Sequence, residues 1–315
     1  MDFALTVLGL AALVGAGDAL VRGAVALSLR LGISALIVSL TVVAFGTSAP
    51  ELLIGAQAAL QDADGIVFGN VVGSNICNVL LVLGVPALIR PLVTRDCESR
   101  RSWKQMIGAS LLFVALVFLG PLTWWHGLIL IAGLAWMLWD AYSEARAGEG
   151  DETALAELED ADPQMPGWRI GALIAVGVVG LPLGAHLLIE GARGVAVAYG
   201  VSEAAIGLTL VALGTSLPEL VTTVMATIRR QADVALGNVI GSNLFNILAI
   251  MGIVSFLGPL DPPPELLRLD LWVMLAAALA MAPFVFRGVP IGRLVGAGFV
   301  LAYLVFAYVV LVPRM

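Results

Sequence analysis

Two glutamates recur in this chain at a fixed interval, each set among hydroxyls and amides. Gly46-Thr47-Ser48-Ala49-Pro50-Glu51 returns 168 residues later as Gly214-Thr215-Ser216-Leu217-Pro218-Glu219. Each copy precedes a second matched block at the same distance. Gly69-Asn70-Val71-Val72-Gly73-Ser74-Asn75-Ile76-Cys77-Asn78 reappears as Gly237-Asn238-Val239-Ile240-Gly241-Ser242-Asn243-Leu244-Phe245-Asn246, and 12 of the 16 aligned positions are identical. Carboxylates, hydroxyls and carboxamides are hard oxygen donors, which suit calcium or sodium rather than zinc or copper. Two glutamates carry a charge of −2, which matches one Ca²⁺ or most of the charge of a few Na⁺. A cage that either cation type can neutralise, but not both at once, is the chemistry of antiport.

Local geometry supports that use. Pro50 has no N–H, so the carbonyl of Gly46 loses its ordinary helical partner and the turn distorts. Thr47 and Glu51 are four apart and share a face, with Ser48 adjacent. Gly214, Thr215, Ser216, Pro218 and Glu219 repeat the arrangement. Asn70, Ser74 and Asn78 are spaced four and four, one polar stripe on an apolar rod, and Asn238, Ser242 and Asn246 repeat that stripe. Gly69, Gly73, Gly237 and Gly241 let a neighbouring backbone approach closely. A single copy would be read as a kink with helix-joining hydroxyls. Two copies with paired glutamates favour a binding site.

The elements that must position these groups are membrane helices. The chain is 60% hydrophobic and 12% charged, with mean hydropathy +1.01, whereas soluble domains carry about a quarter charged residues. Polar groups kept in lipid are costly and are read as functional. Apolar runs give ten candidate helices, at about 3–21, 33–60, 66–89, 105–120, 124–142, 169–192, 202–228, 234–257, 270–286 and 291–312. Trp103, Trp124, Trp125, Trp168 and Trp272 fall near their ends, as interfacial aromatics do. With the N-terminus outside, Arg22, Arg30, Arg90, Arg95, Arg100, Arg101, Lys104, Arg146, Arg169, Arg229, Arg230, Arg287 and Arg293 lie toward the cytoplasm. Only Arg193, Arg268 and Arg314 then lie outside, so the positive-inside bias selects this orientation. The expected organisation is a first five-helix repeat at 1–142, an acidic cytoplasmic linker at 143–168 and a second repeat at 169–315. Five is odd, so the second repeat enters upside down. The expected fold is therefore an all-α membrane protein of ten transmembrane helices in a 5+5 inverted-topology repeat, with the ion site at the midplane.

The remaining features imply less. The net charge of −7 arises from Glu149, Asp151, Glu152, Glu157, Glu159, Asp160 and Asp162, without which 16 acids face 16 bases. That stretch lacks the glycine turn of a calcium loop and reads as a solvated connector. Nothing suggests nucleic acid, a cofactor or a protein partner. Cys77 and Cys97 have no metal or redox spacing and read as free thiols. Met1-Asp2-Phe3 lacks the basic segment of a secretory signal, so the first span is expected to stay in the mature protein. Asp18 and His186 occupy equivalent positions, as do Arg22 and Glu190; they could gate access or carry protons, or snorkel and pair helices. His126 and His186 make no HExxH motif, which argues against a metalloprotease.

The paired blocks, GTS-x-PE followed by GN-x-x-GSN-x-x-N, resemble the alpha-repeats of the cation/calcium exchanger superfamily, nearest to its prokaryotic sodium/calcium exchangers. The resemblance covers about Ser34–Gly84 and Ser202–Gly252 by motif. It implies four central ion sites and alternating access by sliding of the first and sixth helices, in a bacterial or archaeal inner membrane. Matched by motif, Glu51 and Glu219 would be the central ligands. Thr47, Ser48, Ser74 and Asn78 would contribute from one half, and Thr215, Ser216, Ser242 and Asn246 from the other. The backbone carbonyls of Ala44 and Ala212 would complete the sodium sites. Many members carry Asp at the position of Asn246; Asn in both halves argues against potassium dependence. The function implied is Na⁺/Ca²⁺ antiport rather than enzyme catalysis, with H⁺/Ca²⁺ or other cation exchange on the same fold as the alternative.

Overall fold

A computed structural model describes residues 2–94, 99–147, 165–198 and 214–311. These residues form α1 (Asp2–Leu31), α2 (Ala35–Thr47), α3 (Ala49–Ala59), α4 (Asp64–Ile89), α5 (Arg100–Phe118) and α6 (Trp124–Ala147). There follow α7 (Gly167–Ala198), α8 (Leu217–Ile228), α9 (Ala232–Val254), α10 (Leu266–Arg287) and α11 (Arg293–Leu311). Among the described residues there is no β-strand, only isolated bridges joining Leu92 to Ile291 and Leu122 to Leu260. Six of the helices are long and apolar enough to cross a membrane, or seven if α2 and α3 count as one bent span. The chain is an integral, multi-pass membrane protein.

The apolar window of α9 is wholly buried and that of α4 is 72% buried, whereas that of α11 is only 6% buried. The polar-striped helices therefore occupy the middle and the uniformly apolar ones meet lipid. The main core gathers around α4 and α9, through Phe68, Ile76, Leu83, Leu236, Ile240 and Leu244 among others. A smaller second core holds α1 against α7, with Leu13, Leu20, Leu181 and Ala185 at its centre and Val38 and Val43 of α2 at its edge. Glycine makes that pairing close. A Cβ placed on Gly184 would sit 2.8 Å from the backbone nitrogen of Leu13, so these backbones touch as small-residue membrane interfaces do.

Helix boundaries depart from the sequence reading at charged residues. The first span was expected to end at 21, before Arg22. Arg22 instead pairs with Asp18 one turn earlier, at 3.8 Å, and α1 runs on to Gly32, whose φ of +66° supplies the left-handed stop. The sixth span likewise extends beyond 192, to Ala198, despite Pro182 within it. Of the expected linker, 148–164 lies outside the described residues, as do 202–213 of the seventh span and Cys97. Cys77 is a buried free thiol.

Candidate functional site

The two motif segments fold alike because they share the same helix-breaking chemistry. α2 and α3 meet at Ser48 with a bend of 45°, where Pro50 opens α3 within its first turn. Ser48 has φ −84° and ψ 3°, and its counterpart Ser216, just before α8, has φ −87° and ψ 4°. A proline at the first turn lacks only an N–H that would be unpartnered there anyway. The result is a helix start inside the protein, with Glu51 and Glu219 each in a first turn, where the helix dipole favours negative charge. Two of the four wide π turns among the described residues add to this, Asn78–Val82 in α4 and Phe245–Ile250 in α9. Such turns concentrate at functional sites, and each of these two carries or begins at a motif asparagine.

These segments converge. Glu51 and Glu219 are each only 1% exposed and lie within electrostatic reach of one another. The Ser48 hydroxyl donates to Glu219 Oε1 at 3.4 Å, which joins the first block to the glutamate of the second. Thr47 Oγ1 lies 3.2 Å from the Ala44 carbonyl and 3.3 Å from Asn238 Oδ1, two acceptors that compete for its one proton, and 3.4 Å from Ser242 Oγ. Asn70 Nδ2 donates to the Glu51 carbonyl at 3.0 Å, and Asn238 Nδ2 to the Glu219 carbonyl at 3.2 Å. The polar stripe of each rod thus ties down the backbone that carries the neighbouring glutamate. Ser74, Ser216, Asn78 and Asn246 are buried, and Thr215 is half-buried. Ala212 lies outside the described residues.

The glycines divide. A Cβ on Gly237 would stand 2.8 Å from the Leu36 carbonyl, and one on Gly241 would stand 2.6 Å from the Ala44 Cβ. These two glycines seat α9 directly on α2, as expected. Gly69 and Gly73 meet no described atom within 4 Å; the segment equivalent to α2 is outside the described residues.

Asn75 and Asn243 did not stand out in the sequence as site residues, yet they organise the crossing of α4 and α9. Each donates its Nδ2 to the other's carbonyl at 3.4 Å. Asn78 Nδ2 donates to Asn243 Oδ1 at 3.1 Å, and Asn246 Nδ2 donates to Asn75 Oδ1 at 3.0 Å. Their flanks are also matched, by Met274 Sδ for Asn75 and Met106 Sδ for Asn243, again 168 residues apart. This ring of amides occupies the nitrogen ends of Asn78 and Asn246 and turns their oxygens elsewhere. The signal was present in the repeat, where both asparagines are identical, but they lie off the four-residue stripe.

Glu51 Oε2, Glu219 Oε2, Asn78 Oδ1, Asn246 Oδ1 and Ser216 Oγ are all buried and, among the described residues, without a hydrogen-bond partner. Buried oxygens with nothing to accept from are costly, carboxylates most of all. The two amide oxygens, and the two glutamate oxygens when ionised, can only accept, and a cation supplies what they lack. Among the described residues no group of three His, Cys, Asp or Glu could hold a metal. A cation here would rest on two acids and many neutral oxygens.

The family model described as sodium/calcium exchanger protein matches residues 1–139 and 170–312. The chain belongs to the sodium/calcium exchanger family. It is a membrane transporter of that family, not a member of an enzyme family. This exchanger chain is 34% identical over 343 residues to the sodium/calcium exchanger MaX1 of Methanosarcina acetivorans, covering 98% of both chains. It is 31% identical over 305 residues to the inner membrane protein YrbG of Escherichia coli, covering 94% of each. Among solved structures it is similar to the sodium-calcium exchanger NCX_Mj soaked with zero Na⁺ and Ca²⁺. The identity is 29% and the TM-score 0.79, over 96% of this chain and 97% of that one.

Proposed function

We propose that this chain exchanges Na⁺ for Ca²⁺ across the membrane by alternating access, at a midplane oxygen cage centred on Glu51 and Glu219. Thr47, Ser48, Ser74 and Asn78, with the Ala44 carbonyl, serve from one half. Thr215, Ser216, Ser242 and Asn246, with the Ala212 carbonyl, serve from the other. The two halves, 1–142 and 169–315, form an inverted pair of five spans each, with the N-terminus outside and the acidic stretch on the cytoplasmic side. Ca²⁺ and Na⁺ are the cargo, and no resident cofactor is needed.

The observation that carries this reading is the pair of buried carboxylates, each with an oxygen that has no hydrogen-bond partner among the described residues. Two negative charges in a low-dielectric interior repel and are poorly solvated, so gathering them without a cation is costly. One Ca²⁺ or several Na⁺ relieves the same cost, and only one kind can occupy the cage at a time. Competition then couples the two fluxes without contact between the ions. The family name and the NCX_Mj likeness support the choice of ions.

The test is ⁴⁵Ca²⁺ uptake into proteoliposomes loaded with sodium. Uptake is expected to follow the outward sodium gradient and to vanish when sodium is replaced by choline. Uptake indifferent to sodium would overturn the assignment. Acidification changes that track calcium entry without sodium would assign proton exchange instead.

A further inference from the structure

Away from the carboxylates, α5, α6 and α9 line a groove of about 440 Å³. Its floor is Leu244 and Leu248 of α9, and its walls carry Gly108, Leu112, Gly133 and Met137. A side chain on Gly108 would meet no described atom within 4 Å, so the space is unfilled there. On Gly133 a Cβ would lie 3.2 Å from Leu248, which marks the inner end as narrow. The lining changes character along its length. Arg101, Lys104 and Asp140 stand at one end and aliphatic groups at the other. From Lys104 to Leu112 is eight residues, about 12 Å of helix.

We propose that this groove holds one anionic phospholipid, with an acyl chain over Leu244 and Leu248 and its phosphate at Lys104. An apolar channel does not hold water, and in a bilayer the solvent at hand is hydrocarbon chain. The polar-to-apolar gradient along the groove matches a lipid, whose charge sits at one end. The sign follows from the mouth. Asp140 and Glu144 are both taken up by Arg101, and Gln105 also donates to Asp140. Arg100 turns to the carbonyls of Val285 and Phe286. Lys104 is exposed and makes no ion pair among the described residues. Among the residues that line the groove, the basic Arg101 and Lys104 therefore outnumber the acidic Asp140, leaving a positive balance with one uncommitted ammonium. Basic pockets between membrane helices select anionic headgroups in this way. The floor also has a neighbour of consequence, because Leu248 lies in the same π turn as Asn246.

The experiment measures lipid retained by the purified full chain, read as the mass of the intact protein–lipid complex. The protein is first equilibrated with vesicles of phosphatidylglycerol or of phosphatidylcholine. Wild type is expected to keep one phosphatidylglycerol per chain and several-fold less phosphatidylcholine. Gly108→Phe, which fills the open space, is expected to lose the bound lipid. Lys104→Gln, an exposed change with no folding burden, is expected to bring phosphatidylglycerol down to the phosphatidylcholine level. Equal retention of both lipids by wild type would overturn the proposal. So would a tightly held lipid in Gly108→Phe, or an unaltered headgroup preference in Lys104→Gln. The readout does not involve calcium flux, so it stands or falls apart from the transport function proposed above.

Discussion

The fate of each asparagine nitrogen decides what its oxygen can do. Asn78 and Asn246 spend their donors on Asn243 and Asn75, which leaves Oδ1 of each as a buried acceptor. Replacing Asn243 with Ala removes the acceptor for Asn78 and leaves that donor orphaned. The expected cost is about 1–3 kcal/mol of stability, with calcium affinity down about tenfold because Asn78 is free to rotate. Asn75→Ala should act in the same direction through Asn246. Thermal melts with and without calcium check both; a fall in stability with unchanged calcium response would reduce the asparagines to a structural role. The glutamates allow a sharper expectation. Glu51→Gln and Glu219→Gln keep the size and relieve the repulsion, so each variant should fold, yet each should lose ⁴⁵Ca²⁺ uptake. Normal uptake in both would remove the carboxylates from the mechanism.

Among the elements, α1 and α7 form a body of their own, packed on each other through glycine with a core separate from that of α4 and α9. An ion pair fastens this body to the rest. Asp18 accepts from Arg229 Nε at 2.6 Å, and Arg229 Nη2 lies 2.5 Å from the same oxygen, at the end of α8. The equivalent positions in the other half are His186 and Gln61, both exposed, which cannot form that pair. The tie is therefore one-sided. Arg229→Gln should cost only about 1 kcal/mol, as partly exposed pairs do. It should speed amide exchange in α1 while α9 stays protected. Unchanged exchange in α1 would show that packing alone holds the body in place. Gly241→Val tests the opposite kind of contact. Its Cβ would press on Ala44, prying α2 from α9 and carrying Thr47 away from Ser242. The expected result is a loss of about 1–3 kcal/mol together with lost calcium binding, measured by melting and isotope binding on the same sample.

The molecule as a whole should be stabilised by its cargo. A folded state that gathers two unneutralised carboxylates is penalised until a cation arrives, and the unfolded chain has no such cage. Binding to the native state alone adds about 2.7 kcal/mol at a hundredfold excess over Kd. The melting temperature should therefore rise with calcium and fall on chelation, with sodium giving a similar rise at far higher concentration. Glu219→Gln should blunt the calcium response while leaving the chelated protein as stable as, or more stable than, wild type. A calcium-independent melting curve for wild type would remove this account of the cage.

Much of this protein was legible in its residues because membrane burial imposes an all-or-none rule. In lipid, backbone groups must be satisfied within helices, so apolar runs revealed the rods. The same rule made Glu51, Glu219 and their hydroxyl neighbours conspicuous. Repetition at 168 residues identified which polar groups belong together, and Pro50 and Pro218 announced the broken turns. Distance in space was another matter. That Ser48 reaches Glu219, or that Asn75 and Asn243 exchange hydrogen bonds, depends on which rods cross and at which turn. The extension of α1 past Arg22 and the pairing of Asp18 with Arg229 also arise only when remote charges meet. One-dimensional patterns register the cost of a polar group in lipid, whereas its partner is chosen by packing, and packing is decided only when the helices assemble.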